Sequence, residues 1–102
     1  MPGIDFTAVR ASISLMDVLQ LLGFCSVQQR GDRLRGTCPF GCKSAPRDFA
    51  AYLDTNSYYC FSCHRGGNQL ELWAALQQLC LYEAAEDLCH QLHIQVPYIY
   101  RW

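Results

Sequence analysis

The 102-residue sequence has few charges, no long apolar run and no internal repeat. Charged residues make up 17% of the chain and the formal net charge is −1. This balance argues against a disordered polyelectrolyte and against bulk electrostatic attachment to polyanions. No stretch approaches the length of a membrane-spanning helix, and positions 1–10 lack the basic start and apolar segment of a secretory signal. We therefore expect a cytoplasmic protein that does not associate with a membrane.

Cysteine, by contrast, is abundant, with seven residues in a chain of single-domain length. Cytosolic thiols stay reduced, and an odd count also disfavours a disulfide framework. Four of the cysteines form two close pairs, Cys38 with Cys42 and Cys60 with Cys63, separated by seventeen residues. Buried thiols or a redox pair would be the alternative interpretation, but paired spacing of this kind is typical of a metal site.

Two such pairs can supply four thiolates to one tetrahedral zinc ion, and a site filled in this way is structural because no coordination position stays open. We therefore predict one Zn²⁺ held by Cys38, Cys42, Cys60 and Cys63. His64 directly follows Cys63 and is the alternative donor. The remaining cysteines, Cys25, Cys80 and Cys89, stand apart from the pairs and are expected to be buried thiols. Cys80 is expected at the entrance of a helix. The spacing of Cys89 and His93 could also suit a metal on a helix, although core packing is favoured for Cys89.

Three segments have helical patterns. Ser14 and Asp17 form the start signal of a helix over 15–22 that Gly23 ends, while the segment before it is left open. A second helix over about 69–79 begins after Asn68, with an apolar stripe of Leu72, Ala75, Leu76 and Leu79. The third, over about 82–93, carries Leu81, Ala85, Leu88, Cys89 and Leu92 on one face. We expect Pro97 to end regular structure, and the apolar residues after it to pack on the domain.

The middle of the chain has the pattern of two β-hairpins. Turn-forming clusters at 30–32 and 54–57 separate short runs rich in aromatic residues. The simplest pairing joins 24–29 to 33–37 and 48–53 to 57–61, with the cysteine pairs at strand ends. The sequence therefore predicts an α+β domain, in which a zinc ribbon on a small antiparallel sheet is flanked by amino-terminal and carboxy-terminal helices.

Several short motifs resemble the zinc-binding domain of bacterial and phage DNA primases. They are Arg35-Gly36-Thr37-Cys38-Pro39-Phe40, Tyr59-Cys60-Phe61-Ser62-Cys63, Gly66-Gly67-Asn68 and Tyr82-Glu83-Ala84-Ala85-Glu86-Asp87-Leu88. The resemblance covers about residues 4–94, which leaves a tail at 95–102 within a single domain of residues 1–102. The family usually has histidine directly after Cys-Pro-Phe, whereas this chain has Gly41 and then Cys42. Glycine tolerates unusual backbone angles, so Gly41 can accommodate the extra residue.

The resemblance implies a template-recognition domain that binds DNA where RNA primers are started during replication, joined to a separate catalytic domain. The expected ligand is single-stranded DNA. The expected protein partner is a primase catalytic domain or a helicase. No catalytic residues are assigned to this chain. The alternative is a free-standing zinc ribbon that binds DNA or protein in another setting, and a natural chain ending at Trp102 would favour it. A zinc enzyme has little support, because the four predicted ligands fill the tetrahedron.

Basic residues are concentrated in the middle of the chain, where positions 30–65 hold six of the eight, against three acidic residues. Phosphate contacts would then be few and sensitive to salt. Aromatic residues of the second hairpin could stack unpaired bases, as in other single-strand binders. The alternative is that the arginines are simply solvated and the tyrosines lie in the core. The predicted DNA contacts are Arg33, Arg35, Lys43, Arg47 and Arg65, with Tyr52 or Tyr58.

Overall fold

The computed structural model describes residues 3–24, 26–41 and 47–99. These residues form four helices: α1 Phe6–Ser12, α2 Leu15–Leu22, α3 Gln69–Gln77 and α4 Leu81–Gln91. They also form seven strands: β1 Gly3–Ile4, β2 Ser26–Arg30, β3 Arg33–Gly36, β4 Phe49–Tyr52, β5 Ser57–Cys60, β6 Gly66–Asn68 and β7 Tyr98–Ile99.

Reciprocal capping fixes the starts of α2 and α3. The Ser14 hydroxyl accepts from the Asp17 amide while the Asp17 carboxylate accepts from the Ser14 amide, and Asn68 and Glu71 do the same for α3. Gly23 ends α2 in the left-handed conformation, with φ of 70°. The predicted helix at 15–22 is confirmed, and the segment left open before it forms α1. None of the described helices is long and apolar enough to cross a bilayer.

A five-stranded antiparallel sheet, in the order β2-β3-β4-β5-β6, forms the middle of the fold. Both predicted hairpins are present, as β2 with β3 and as β4 with β5. Strand β6 was not predicted, and it pairs with β5 directly before α3. The predicted α+β class, with a small antiparallel sheet between flanking helices, is confirmed.

One face of the sheet packs against the helices. Phe49 on β4 is fully buried and its ring stacks on Tyr58 of β5, with 5.8 Å between ring centroids. Leu34 on β3 faces the same core. The helices contribute buried side chains that include Val9, Leu15, Val18, Leu19, Leu70, Leu72, Trp73, Ala84, Ala85 and Leu88.

The inward faces of α3 and α4 each differ from the predicted stripe at one position. In α3, Leu72 is buried and Leu76 and Leu79 pack partly against the core as predicted, but Ala75 is exposed. The helix also buries Gln69, Leu70, Trp73 and Ala74. Leu81 is also exposed, with 47% of its surface accessible. Helix α3 packs against α2 and α4 as well as the sheet, which buries its first half on more than one side.

The expectation that Pro97 ends regular structure is wrong, because β7 follows it and pairs with β1. Gly3 lies opposite Ile99 and Ile4 lies opposite Tyr98. The Asp5 amide extends this ladder by donating to the Pro97 carbonyl at 2.9 Å. Proline is tolerated here because it needs only to accept a hydrogen bond at this position. Of the apolar tail that was expected to pack on the domain, Tyr98 packs against the core and Ile99 is exposed. Residues 100–102 lie outside the described residues.

Candidate metal centre and nucleic-acid interface

Three cysteines from separate parts of the ribbon meet at one end of the sheet. Cys38 follows β3, Cys60 ends β5, and Cys63 lies in the turn after it. Their three sulfur atoms lie within 4.8 Å of one another, and the sulfur atoms of Cys38 and Cys63 are 3.9 Å apart. Cys38 and Cys60 are buried, and Cys63 is partly exposed.

The cluster fits a tetrahedral thiolate site. Zinc–sulfur bonds of about 2.3 Å place two sulfurs of a tetrahedron about 3.8 Å apart, close to the Cys38–Cys63 distance. No disulfide joins these three thiols to one another. The fourth predicted ligand, Cys42, lies outside the described residues. Three soft donors converging at this separation are suited to a zinc ion, which would tie β3 to the β4–β5 hairpin.

Two tight turns bring the sulfur atoms inward. In the first, Gly41 donates to the Cys38 carbonyl at 3.2 Å and adopts a φ of 73°, as expected for the residue that accommodates the altered spacing. In the second, the Cys63 amide points at the Cys60 sulfur at 3.5 Å. The His64 amide donates to the Cys60 carbonyl at 2.9 Å. Both knuckles are therefore formed by local backbone hydrogen bonds.

The other candidate donors lie elsewhere. Among the described residues, His64 does not join the thiol cluster, and its Nδ1 lies 2.9 Å from the Tyr59 hydroxyl. Cys89 is buried in the core as expected, and burial raises the pKa of its thiol. The expectation that Cys80 is buried is wrong. It is exposed because it caps α4, where its sulfur accepts from the Glu83 amide at 3.5 Å. Cys25 lies outside the described residues.

The face of the sheet that points away from the helices is basic and aromatic. Strand pairing sets Arg33 opposite Tyr52 and Arg35 opposite Ala50, and it sets Ala50 opposite Tyr59. Residues directly opposite in antiparallel strands project from the same face. We call this surface the basic face: Arg33, Arg35, Tyr52 and Tyr59, together with Arg47 and Phe61 at its margin.

Aromatic rings support the arginines of the basic face. The Arg33 guanidinium carbon lies 5.6 Å from the centroid of the Tyr52 ring, and that of Arg35 lies 5.2 Å from the centroid of Phe61. Arg35 also donates from Nη1 to the Arg47 carbonyl at 3.2 Å. Cation–π contacts at these distances hold the charged groups over the sheet while leaving their outer edges accessible.

The predicted DNA contacts are only partly brought together. Arg33, Arg35 and Arg47 line one cleft, whereas Arg65 lies over the Phe40 ring of the first knuckle at 4.6 Å. Lys43 lies outside the described residues. Tyr58 is 5% exposed, and burial raises the pKa of its hydroxyl. Its ring therefore cannot serve as a base platform, which corrects the alternative that named it beside Tyr52.

Sequence reasoning missed Tyr59 and Phe61 as members of this surface. Phe61 is 49% exposed, and its ring meets Tyr59 edge to face with 5.0 Å between centroids. A signal was present in the alternation of the strand. Because Cys60 must face inward to reach a metal, Tyr58 faces inward with it and Tyr59 faces outward.

The five-stranded sheet, the two knuckles and the thiol cluster define a zinc ribbon flanked by helices. The protein-family model of the CHC2 zinc finger matches residues 4–101 of the chain. The chain belongs to the CHC2 zinc finger family. Its cofactor is accordingly zinc, for which the cluster of Cys38, Cys60 and Cys63 provides donors.

Similar proteins include DNA primases from several bacteria. The chain is 28% identical over 99 residues to a DNA primase of Treponema pallidum, covering 96% of this chain and 16% of that protein. It is 32% identical over 71 residues to a DNA primase of Pseudomonas aeruginosa, covering 70% of this chain and 10% of that protein. The chain thus spans a small part of the length of the relatives it matches.

A solved structure has the same fold. The crystal structure of the Aquifex aeolicus primase, containing its zinc-binding and RNA polymerase domains, aligns with a TM-score of 0.74 at 23% identity. The alignment covers 93% of this chain and 23% of that one. The two proteins therefore share one fold over this region.

Proposed function

We propose that this domain binds single-stranded template DNA on its basic face and thereby selects the site of RNA primer synthesis. The observation that carries the proposal is the alternation on β3, β4 and β5, which places two arginines and two tyrosines on one exposed side of the sheet. Guanidinium groups recognise phosphate, and exposed rings stack bases at about 1–3 kcal/mol per base. The central contacts would be formed by Arg33, Arg35, Arg47, Tyr52, Tyr59 and Phe61. Arg65 would add a contact beyond them, and Lys43, which lies outside the described residues, stays a predicted contact.

The proposed metal role is structural. One zinc ion would be held by Cys38, Cys42, Cys60 and Cys63, and four thiolates leave no position for a substrate or an activated water. Zinc would fix the positions of β3 and β5 and so the spacing of the residues that they present on the basic face. Priming chemistry is therefore assigned to a separate primase catalytic domain. The proposed protein partner of this domain, in the cytoplasm, is that catalytic domain or a helicase.

A titration tests the proposal. Zinc-loaded protein is added to a fluorescent single-stranded oligonucleotide at two salt concentrations, and anisotropy is followed. The variant that combines Arg33→Gln, Arg35→Gln and Arg47→Gln should lose most of its affinity. Its salt dependence should be shallower by about 2 in log–log slope, because each phosphate contact on a single strand contributes about 0.7.

The matched control is Arg10→Gln, because Arg10 is an exposed arginine in the last turn of α1. This variant should bind the oligonucleotide like the unmodified protein. Zinc content and circular dichroism should be equal in all three proteins. Undiminished affinity in the triple variant would refute the proposed surface, and zinc-loaded protein without any DNA affinity would favour a protein-interaction ribbon instead.

A further inference from the structure

A cleft of about 360 Å³ opens on the sheet where β2 and β3 pair. Strand pairing sets Arg30 opposite Arg33 and Gln28 opposite Arg35, so these side chains project on the same side. Arg47 joins them from the segment before β4. No acidic side chain lines the cleft among the residues that the structure describes. We call it the arginine cleft: Gln28, Arg30, Arg33, Arg35 and Arg47.

The cleft concentrates positive charge at one place on the sheet. Arg30, Arg33 and Arg47 are all exposed, and four guanidinium groups around one concavity repel one another. The contacts of Arg35 with the Arg47 carbonyl and the Phe61 ring hold it in place despite this repulsion. Groups fixed in advance lose less side-chain entropy when a ligand binds.

The shape of this charge points to a compact polyanion. A single strand presents one charge per nucleotide, spread along its backbone, whereas a triphosphate gathers several charges on adjoining phosphates. Guanidinium forks pair with phosphate oxygens in a bidentate manner, and Gln28 adds an amide donor. We infer that the arginine cleft binds a triphosphate group, carried either by a free nucleoside triphosphate or by the 5′ end of an RNA.

Aromatic groups beside the cleft suit the rest of such a ligand. The Tyr52 and Phe61 rings lie against Arg33 and Arg35, which line the cleft. A base attached to a triphosphate in the cleft can therefore reach a ring on which to stack. The triphosphate site shares Arg33, Arg35 and Arg47 with the proposed DNA surface. Arg30 belongs to the cleft alone, so it separates the two functions.

Isothermal titration calorimetry of the zinc-loaded chain provides the test. The titrants are inorganic tripolyphosphate, inorganic phosphate, ATP, and one RNA oligonucleotide with either a 5′-triphosphate or a 5′-hydroxyl, all at matched ionic strength. Tripolyphosphate should bind at least tenfold more tightly than phosphate. Tighter binding of ATP than of tripolyphosphate would identify the free nucleotide as the source, and a preference for the 5′-triphosphate RNA would identify the RNA end.

Arg30→Gln should weaken tripolyphosphate binding about tenfold, since one hydrogen bond to a charged partner contributes at about this level. It should leave the affinity for single-stranded DNA nearly unchanged. Arg10→Gln should alter neither. Equal binding of phosphate and tripolyphosphate, or unchanged tripolyphosphate binding in Arg30→Gln, would overturn the inference. If the inference fails in this way while the unmodified protein still binds DNA, the proposed function stands. If the unmodified protein binds tripolyphosphate but not DNA, only the proposed function is refuted.

Discussion

The side-chain amide of Gln69 donates a hydrogen bond to the backbone carbonyl of Ile13 at 2.8 Å, across 56 positions of sequence. A second bond from the same nitrogen reaches the Arg10 carbonyl at 3.1 Å. Both acceptors lie at the end of α1, where helix carbonyls have no partner within the helix. Gln69 is 1% exposed, so the first residue of α3 fastens the α1–α2 junction from inside the core.

Replacing this side chain should destabilise the domain. Gln69→Leu keeps the approximate volume but removes the donor from the buried Ile13 carbonyl and from the partly buried Arg10 carbonyl. A buried group left unsatisfied costs about 1–3 kcal/mol. We expect the free energy of unfolding, measured by urea denaturation with zinc present, to fall by about 2 kcal/mol. Gln77→Leu, at the exposed end of the same helix, should change it by less than about 0.5 kcal/mol. Equal losses of stability in Gln69→Leu and Gln77→Leu would contradict this role of Gln69.

Two phenylalanines on opposite sides of the sheet should respond differently to the same change. Phe49→Leu opens space in the core and should lower the free energy of unfolding by about 1–2 kcal/mol, with little effect on DNA affinity at saturating zinc. Phe61→Leu should leave stability nearly unchanged and weaken oligonucleotide binding, because a stacking ring is lost. Urea denaturation measures the stability of both variants, and anisotropy measures their affinity for the oligonucleotide. The reverse pattern would mean that DNA does not bind on the basic face.

Gly66 makes room for the exposed tyrosine of the basic face. A Cβ atom there would lie 2.9 Å from Tyr59 Cδ2 and 3.1 Å from the Tyr58 carbonyl oxygen. Gly66→Ala should displace the Tyr59 ring and weaken DNA binding severalfold while zinc content stays at one ion per chain. Gly3→Ala is the control, since its Cβ would meet only the Ile99 carbonyl at 3.9 Å. Unaltered DNA binding in Gly66→Ala would remove Tyr59 from the contact surface.

Zinc content should follow the thiol cluster. Serine at Cys38, Cys60 or Cys63 should release the ion and unfold the ribbon, because binding free energy in such sites is folding free energy. Cys42→Ser should lower zinc affinity as well, whereas His64→Ala should retain one ion per chain. Elemental analysis and titration with a chelator measure both properties. If Cys42→Ser kept one zinc ion per chain and His64→Ala lost it, the fourth ligand would be His64 instead of Cys42.

Thiol reactivity should distinguish Cys80, which caps α4, from Cys89 within the helix. Cys80 is exposed at the cap, whereas Cys89 is buried with a pKa that burial raises. A raised pKa keeps the thiol protonated as pH rises through 8 to 9, and the thiolate is the reactive form. Iodoacetamide labelling of zinc-loaded protein, mapped by mass spectrometry, should modify Cys80 at least tenfold faster than Cys89 throughout that range. Comparable rates would mean that α4 opens readily.

Local signals explain the parts of the fold that the sequence predicts well. The capping pairs Ser14 with Asp17 and Asn68 with Glu71 lie within one turn, so each is visible in four residues. The hairpins follow from turn clusters between aromatic runs. In the described cluster, Cys60 and Cys63 likewise form a short-range pair that one tight turn brings together, whereas Cys38 reaches them through the pairing of β3, β4 and β5.

Tertiary pairing decides what the sequence does not reveal. Strand β6 has the composition Gly66-Gly67-Asn68, which has low strand propensity, and it is a strand because β5 supplies a partner. The arginine cleft also depends on register, since a shift by one residue would turn Arg30 and Arg33 toward opposite faces. Cys80 was placed inside because free cysteine is usually buried, but its use as a helix cap keeps it at the surface.

The pairing of β1 with β7 also sets how the domain responds to force. Gly3 and Ile99 lie at the same end of the two-stranded ladder, so tension applied through the flanking chain would load the rungs one after another, as in a zipper. Peeling of this kind needs less force than shearing all rungs together. Tension on the two ends of the domain would thus separate β1 from β7 before it reached the five-stranded sheet.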